Sequence, residues 1–206
     1  MEDYSAKLTA EPFMYNETKI LAKYLLDGED IDELKKRNLK ENLICHKKIG
    51  SVQRVNSPLF RRLKIMDEEL LNEFINGDIT TSKMILLYAI MKTDKLVRDF
   101  VFEVYQEKLR LRSDYIEKFD MDTWYESKKE ISKNLKDKTE NTEAKLKQVI
   151  LKILQDSGLV RKEQTTLNDK KVNHYKIIRP VLSDIFINML KERNDYDYAK
   201  AIGGLV

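Results

Sequence analysis

The segment from Thr139 to Ile178 constrains the fold most, because it combines a helical pattern, a helix stop and a strand pattern. Its first part places apolar residues at the i, i+3, i+4, i+7 and i+8 positions, which predicts an amphipathic helix. Gly158 then ends the pattern, since glycine enters the left-handed conformation of a helix C-cap without steric cost. Two strands follow, Val160–Leu167 and Val172–Ile178, with a turn at Asn168-Asp169.

This segment also concentrates positive charge. Four polar residues share one side of the predicted helix at 100° per residue: Lys145, Gln148, Lys152 and Gln155. The hairpin carries four cations: Arg161, Lys162, Lys170 and Lys171. A basic amphipathic helix followed by a basic hairpin is the outline of a winged helix, and that outline favours binding to nucleic acid.

Composition places the chain among folded, largely helical proteins. It has 206 residues, 42% of them hydrophobic and few of them Gly or Pro, which is enough for a substantial core. The formal net charge is only +3, so attraction to nucleic acid must come from local clusters of cations. A single cysteine, Cys45, excludes an intrachain disulfide, and no apolar run approaches the roughly 20 residues that cross a bilayer. We therefore expect a cytoplasmic protein with no membrane partner.

The distribution of helical patterns predicts two subdomains. Short connections between the early helices indicate an antiparallel bundle over residues 1–112, and residues 113–206 form a second helical subdomain with the winged-helix-like helix and hairpin. The fold class is thus mainly α, a compact helical bundle of two subdomains with one small β-hairpin in the C-terminal half. Within the less regular stretch 113–140, Trp124 is favoured as a packing anchor over a platform for stacking bases.

A second concentration of cations lies earlier in the chain, with no acidic residue between Lys47 and Met66. Its members are Lys47, Lys48, Arg54, Arg61, Arg62 and Lys64. Ser57-Pro58 has the residue types of an N-cap and a first helical position, which favours two short helices here rather than one. Two interpretations of the arginines stay open. They contact a ligand, or they pair with the acidic runs at 67–69 and 29–33.

No set of residues in the sequence indicates catalysis. His46 follows Cys45, but the other histidine, His174, is remote, and neither zinc-ligand spacing nor a glycine-rich phosphate loop is present. A magnesium nuclease needs carboxylates and a lysine, and Glu126-Ser127-Lys128 has such a spacing. That match lies in a helix-like polar run, where it arises by chance in so charged a chain. We expect no enzymatic activity, no metal, no cofactor and no small-molecule substrate.

Short motifs recur in a characteristic order along nearly the whole chain. They are Tyr4-Ser5-Ala6 with Leu8, Glu17-Thr18-Lys19, Asn38-Leu39 with Glu41-Asn42, Arg54 with Arg61-Arg62-Leu63, Asp99-Phe100, and Thr142 with Lys145-Leu146 through Leu154 to Gly158-Leu159. In order and spacing they resemble the BrxA family of bacteriophage-exclusion (BREX) defence systems. The resemblance implies a non-enzymatic, mostly helical protein that binds double-stranded DNA beside other BREX proteins. Its helical part would be similar to bacterial transcription-antitermination domains.

The pattern and the resemblance together predict a DNA-binding accessory component of a BREX system that grips the phosphate backbone. The predicted DNA contacts are Lys47, Lys48, Arg54, Arg61, Arg62, Lys145, Gln148, Lys152, Arg161, Lys162, Lys170 and Lys171. Two alternatives remain open: a protein-interaction scaffold of the same defence complex, and an RNA-binding regulator of the antitermination type. The sequence leaves open whether the two basic regions share one side of the molecule.

Overall fold

The structure, a computed structural model, describes residues 3–167 and 170–203, with only the backbone of Leu167, Lys170 and Lys171. Its α-helices are α1 (Tyr15–Leu26), α2 (Ile31–Glu41), α3 (Ile49–Leu63), α4 (Glu68–Asn76), α5 (Ile79–Thr93), α6 (Lys95–Phe100), α7 (Gln106–Arg110), α8 (Lys118–Ile131), α9 (Lys133–Lys136), α10 (Glu140–Ser157), α11 (Asp184–Glu192) and α12 (Tyr196–Gly203). A 3₁₀ helix, Ala6–Ala10, precedes α1, and a π-helical turn, Val101–Tyr105, joins α6 to α7. The strands are β1 (Tyr115–Ile116), β2 (Val160–Leu167) and β3 (Lys170–Ile177). The mainly α fold with a small β-element in the C-terminal half is confirmed.

One continuous core runs through the protein. Helix α5 is buried almost all round from Thr81 to Met91, and both α3 and α10 pack against it. The cluster of buried apolar side chains extends from Tyr4 to Ile202, so it includes residues from both predicted subdomains. The division after residue 112 stays a prediction, but it does not coincide with a break in the core.

Helix α10 forms as its sequence pattern predicts. The side chain of Thr139 caps its first turn by accepting a hydrogen bond from the backbone N–H of Thr142. Its apolar face is buried through Leu146, Val149, Ile150, Ile153 and Leu154. Gly158 ends the helix in the left-handed conformation, with a φ of 95°. Because that apolar face packs on α5 and on the 3₁₀ helix, the polar stripe of α10 is left towards solvent.

The sheet contains one strand more than the sequence predicts. The strand order is β1-β3-β2 and all pairs are antiparallel. The two-residue strand β1 pairs Tyr115 with Lys176 and Ile116 with Tyr175, and it is too short to give a periodic signal. The first strand of the predicted hairpin is confirmed as β2, and the second begins at Lys170 and ends at Ile177. The predicted turn at Asn168-Asp169 lies outside the described residues.

The expectation of two short helices around Pro58 is wrong, because α3 is one continuous helix with Pro58 inside it. Proline lacks an N–H, so the carbonyl of Arg54, four residues earlier, loses its usual intrahelical donor. The helix nevertheless continues, and it buries Val52, Val55, Leu59 and Phe60 on one face. Burial of that face outweighs the local cost of the proline.

Trp124 is a packing anchor, as predicted. Its side chain is 6% exposed, and its indole N–H donates to Glu103 Oε2 over 2.8 Å. The ring meets Phe100 edge to face, with centroids 4.9 Å apart. A buried ring with a satisfied N–H leaves no face free to stack on a base.

The left-handed conformation of Gly158 gives a stability prediction. We expect Gly158→Ala to lower the free energy of unfolding by about 1 kcal/mol, since a Cβ strains this conformation. Gly50, in the first turn of α3, is a matched control, because a Cβ at either glycine meets no atom within 4 Å. Gly50→Ala should raise the free energy of unfolding by up to about 0.5 kcal/mol. Denaturant unfolding measures both, and equal shifts of the same sign would contradict the conformational argument.

Candidate nucleic-acid interface

Four parts of the chain line a cleft of about 510 Å³ beside α10, which we call the basic cleft. Its floor is the polar stripe of α10, with Lys145, Gln148, Lys152 and Gln155, together with Val149 from the buried face of that helix. One wall comes from the N-terminal segment and α3: Thr9, Ala10, Pro12 and Arg54. The sheet contributes Lys162 and Tyr175 to the lining. No carboxylate is among the lining side chains in the part of the chain that the structure describes.

The cations of the basic cleft are largely free of intramolecular partners. Arg54 and Lys162 are exposed, and neither forms an ion pair with any residue that the structure describes. Lys145 Nζ lies 3.3 Å from Gln148 Oε1, a neutral partner. Among these cations, Lys152 alone forms an ion pair with a residue that the structure describes, through Asp156 Oδ1 at 2.6 Å. Exposed ion pairs of this kind contribute about 0–1 kcal/mol, so Lys152 can exchange Asp156 for an incoming anion at little cost.

The basic cleft brings one cation of the first basic region beside the second region. Arg54, from the first region, lines it together with Lys145, Lys152 and Lys162 from the second. Tertiary packing brings these residues together, because α3 and α10 both pack on α5. Of the other predicted contacts, three are exposed but do not line the cleft: Lys47, Lys48 and Arg161. The side chains of Lys170 and Lys171 lie outside the described residues.

The prediction of a DNA contact at Arg62 is wrong, because its side chain is 1% exposed. Its Nη1 donates to the carbonyl oxygens of Pro12 at 2.8 Å and Phe13 at 3.1 Å, and its Nη2 donates to that of Glu11 at 3.1 Å. Burial lowers the pKa of Arg62 to about 10, while the nearby Glu11 carboxylate opposes this shift, so the guanidinium is charged at neutral pH. Its role is to hold the backbone ahead of α1.

Arg61 is also occupied within the protein. Its guanidinium pairs with the carboxylate of Glu11, whose side chain is almost buried. Of the two interpretations of the arginines, pairing within the protein therefore applies to Arg61. Its partner, Glu11, belongs to neither of the two acidic runs that the sequence suggested. The acidic run at 29–33 does pair with this basic region, but through a lysine, since Lys64 Nζ lies 3.0 Å from Asp32 Oδ1. In the run at 67–69, Asp67 pairs with Arg193 at 2.5 Å.

The N-terminal segment from Asp3 to Pro12, which we call the N-terminal strap, is the part of the cleft that sequence reasoning missed. The Tyr4 hydroxyl donates to Asp99 Oδ2 over 2.7 Å, and Leu8 is fully buried. At its other end the strap is held by Arg62. Sequence analysis used Tyr4 and Leu8 only as motif residues. Their i, i+4 spacing could have indicated a packed segment, but no local pattern indicates what the segment packs against.

The residues considered for catalysis are dispersed. Cys45 is exposed, while Nδ1 of His174, on β3, lies 2.7 Å from Oε2 of Glu117, the N-cap residue of α8. Of the nuclease-like motif, Lys128 pairs with Glu103 at 2.5 Å, away from Glu126. Across residues 3–167 and 170–203, no group of His, Cys, Asp and Glu could hold a metal ion. No helix within the same residues is long and apolar enough to span a membrane.

Comparison with known proteins places this chain in a family. A family model described as BrxA matches residues 2–194. The chain belongs to the BrxA family. "BREX protein BrxA" from Bacillus cereus (strain H3081.97) is 28% identical over 201 residues, which are 98% of this chain and 96% of that protein. The resemblance inferred from the ordered motifs is therefore confirmed.

A solved structure shares the fold of this BrxA-family chain. The crystal structure of an uncharacterized protein from Magnetospirillum magneticum matches it with a TM-score of 0.76 and 19% sequence identity. The match covers 98% of this chain and 99% of that one. At this identity the match supports the arrangement of helices and sheet, and it carries nothing about function.

Proposed function

We propose that this BrxA-family protein is a non-catalytic component of a BREX phage-defence system that binds double-stranded DNA through its phosphate backbone. The observation that carries the proposal is the basic cleft, in which Arg54, Lys145, Lys152 and Lys162 converge without a carboxylate in the lining. Cations that neutralise successive phosphates release condensed counterions, and this release drives binding that is independent of sequence.

Each type of side chain in the cleft suits a backbone contact. Arg54 presents a planar guanidinium that can bind two phosphate oxygens at once, and the lysines supply mobile point charges. Gln148 and Gln155 add amide donors that need no charge on their partner. Because the strap and Arg54 stand beside α10, the helix forms the floor of a cleft rather than a projecting element. We therefore expect phosphate contacts to dominate over base contacts.

The order of elements favours a winged-helix interpretation of this half of the chain. A helical stretch ending in α7 is followed by β1, α8, the short α9, α10 and the β2–β3 hairpin, and β1 joins the sheet beside β3. Winged-helix domains share this order. In them the helix that directly precedes the hairpin faces DNA, and the hairpin lies beside it. In that interpretation α10 takes the position of the recognition helix, but as the floor of the basic cleft it is expected to contact phosphates more than base edges.

Salt dependence tests the proposal. Four backbone contacts predict that log K falls with log salt at a slope of about −3.6, so affinity should drop roughly 100-fold between 50 and 200 mM salt. Fluorescence anisotropy with a labelled duplex of arbitrary sequence measures this slope, and a second duplex of unrelated sequence should give a similar affinity. Affinity that does not change with salt would exclude the backbone mechanism. RNA that displaces the duplex at lower concentration than unlabelled DNA does would favour the antitermination-type alternative.

A further inference from the structure

A second and larger cavity, of about 790 Å³, lies between α8, α10 and β3, and we call it the α8–α10 groove. Its apolar lining consists of Met121, Ala144, Leu151, Val172 and Tyr175. The groove is in the volume range that accommodates side chains or small ligands. Apart from Tyr175, it shares no lining residue with the basic cleft, so the two cavities can be altered separately.

A chain of alternating charges crosses this groove. Lys147 Nζ lies 2.9 Å from Asp122 Oδ1 and 3.5 Å from Glu143 Oε1. Lys129 Nζ lies 3.1 Å from Glu143 Oε2 and 3.3 Å from Glu126 Oε2. In space, the charged side chains therefore follow the order carboxylate, lysine, carboxylate, lysine, carboxylate. The two terminal carboxylates, Asp122 and Glu126, each pair with one described lysine ammonium. A carboxylate can accept about four hydrogen bonds, so each can accept more from a ligand.

The exposure of these groups makes the outer rim acidic. The side chains of Lys147 and Lys129 are 18% and 25% exposed, and Glu143 between them is 12% exposed. Asp122 and Glu126 are 41% and 58% exposed. The cations are thus low in the groove and already neutralised, while the carboxylates at the two ends face solvent. At the rim Glu140 and Lys118, both exposed, offset each other.

Glu143 and Lys129, the inner groups of the groove, stay ionised near neutral pH. Burial works against the charge on Glu143, but the hydrogen bond from Lys129 and the charges of Lys129 and Lys147 outweigh it, so the pKa of Glu143 lies below its ordinary value. The hydrogen bond from Lys129 to Glu143 likewise raises the pKa of Lys129. Near neutral pH the groove therefore keeps an excess of negative charge above an apolar floor.

We propose that the α8–α10 groove docks a basic, amphipathic segment of a partner protein. Apolar side chains of the segment would cover Met121, Ala144 and Leu151, and its Lys or Arg residues would occupy the free acceptors of Asp122 and Glu126. Charge complementarity selects this occupant, since an acidic peptide or a phosphate backbone is repelled by the same carboxylates. Helix-in-groove recognition uses this combination of apolar contact and flanking charge. The inference is independent of DNA binding in the basic cleft.

Peptide selection on the full chain tests this proposal. A random peptide library displayed on phage is selected on the wild-type protein after depletion on the Ala144→Trp variant. Ala144 is exposed and lines the groove, so the tryptophan fills the groove without entering the core. The depletion removes peptides that bind other surfaces. We expect the remaining peptides to combine apolar residues with Lys or Arg. Groove-dependent peptides of acidic character, or none at all, would overturn the proposal.

A selected peptide then measures the contribution of the rim. Asp122→Asn with Glu126→Gln keeps side-chain shape and removes two negative charges, and we expect at least tenfold weaker peptide binding. The matched control is Glu130→Gln with Glu192→Gln, two exposed positions outside the groove with the same charge change. Equal peptide affinity in the two double variants would exclude the acidic rim as the determinant. DNA affinity should be the same in both, which separates failure of this inference from failure of the proposed function.

Discussion

Reversal of charge at both Arg54 and Lys145 should lower the affinity for duplex DNA by at least about 100-fold at 100 mM salt. The two residues lie on α3 and α10 but line the same cleft, and neither pairs with a carboxylate among the described residues. Arg54→Glu with Lys145→Glu therefore removes two phosphate contacts and adds repulsion at both positions. Fluorescence anisotropy across a salt series measures the loss, and the slope of log K against log salt should become shallower by about 2.

The control for this double variant carries the same charge change elsewhere. Lys40 and Lys136 are exposed and do not line the basic cleft. If binding depends only on net charge, Lys40→Glu with Lys136→Glu will weaken it as much as the cleft variant does. We expect instead less than a tenfold loss in this control, with the slope nearly unchanged. Equal losses in the two variants would move the binding site away from the cleft.

Local patterns in the sequence were sufficient to predict α10 and β2. The apolar spacing of α10, its Thr139 cap and the stop at Gly158 all follow from interactions within one segment. The range of β2 follows from its position between the helix stop at Gly158 and the turn residue types that come after Leu167 in the sequence. The strand β1 could not be predicted in this way, since two residues have no period and β1 exists only because β3 pairs with it.

The sequence predicted only part of the candidate site, for a related reason. Arg54 and Arg62 lie on the same helix and belong to one basic run, yet one is exposed in the cleft and the other is buried. The difference depends on the strap, which lies about 50 residues earlier in sequence and supplies the carbonyl groups that Arg62 binds. No local pattern contains that contact. The same packing of the strap completes one wall of the cleft, so the missed wall and the wrong prediction at Arg62 have one cause.

Arg62 should contribute strongly to the stability of the fold. Arg62→Met keeps most of the side-chain volume but leaves the carbonyl groups of Glu11, Pro12 and Phe13 without these donors in a buried environment. Each unsatisfied buried polar group costs about 1–3 kcal/mol, so we expect the free energy of unfolding to fall by at least about 3 kcal/mol. Urea denaturation measures this change. Arg54→Met, the same substitution at an exposed position of the same helix, should change it by less than about 0.5 kcal/mol.

The two arginine variants should also separate stability from binding. Where both variants are folded, Arg54→Met should weaken DNA binding and make its salt dependence shallower, because a cleft cation is lost. Arg62→Met should keep the wild-type slope, since its buried guanidinium reaches no phosphate. If Arg62→Met instead made the slope shallower by about 1 while unfolding like Arg54→Met, the guanidinium would have to leave its three carbonyl groups to meet DNA. The strap would then be a mobile wall of the cleft rather than a fixed one.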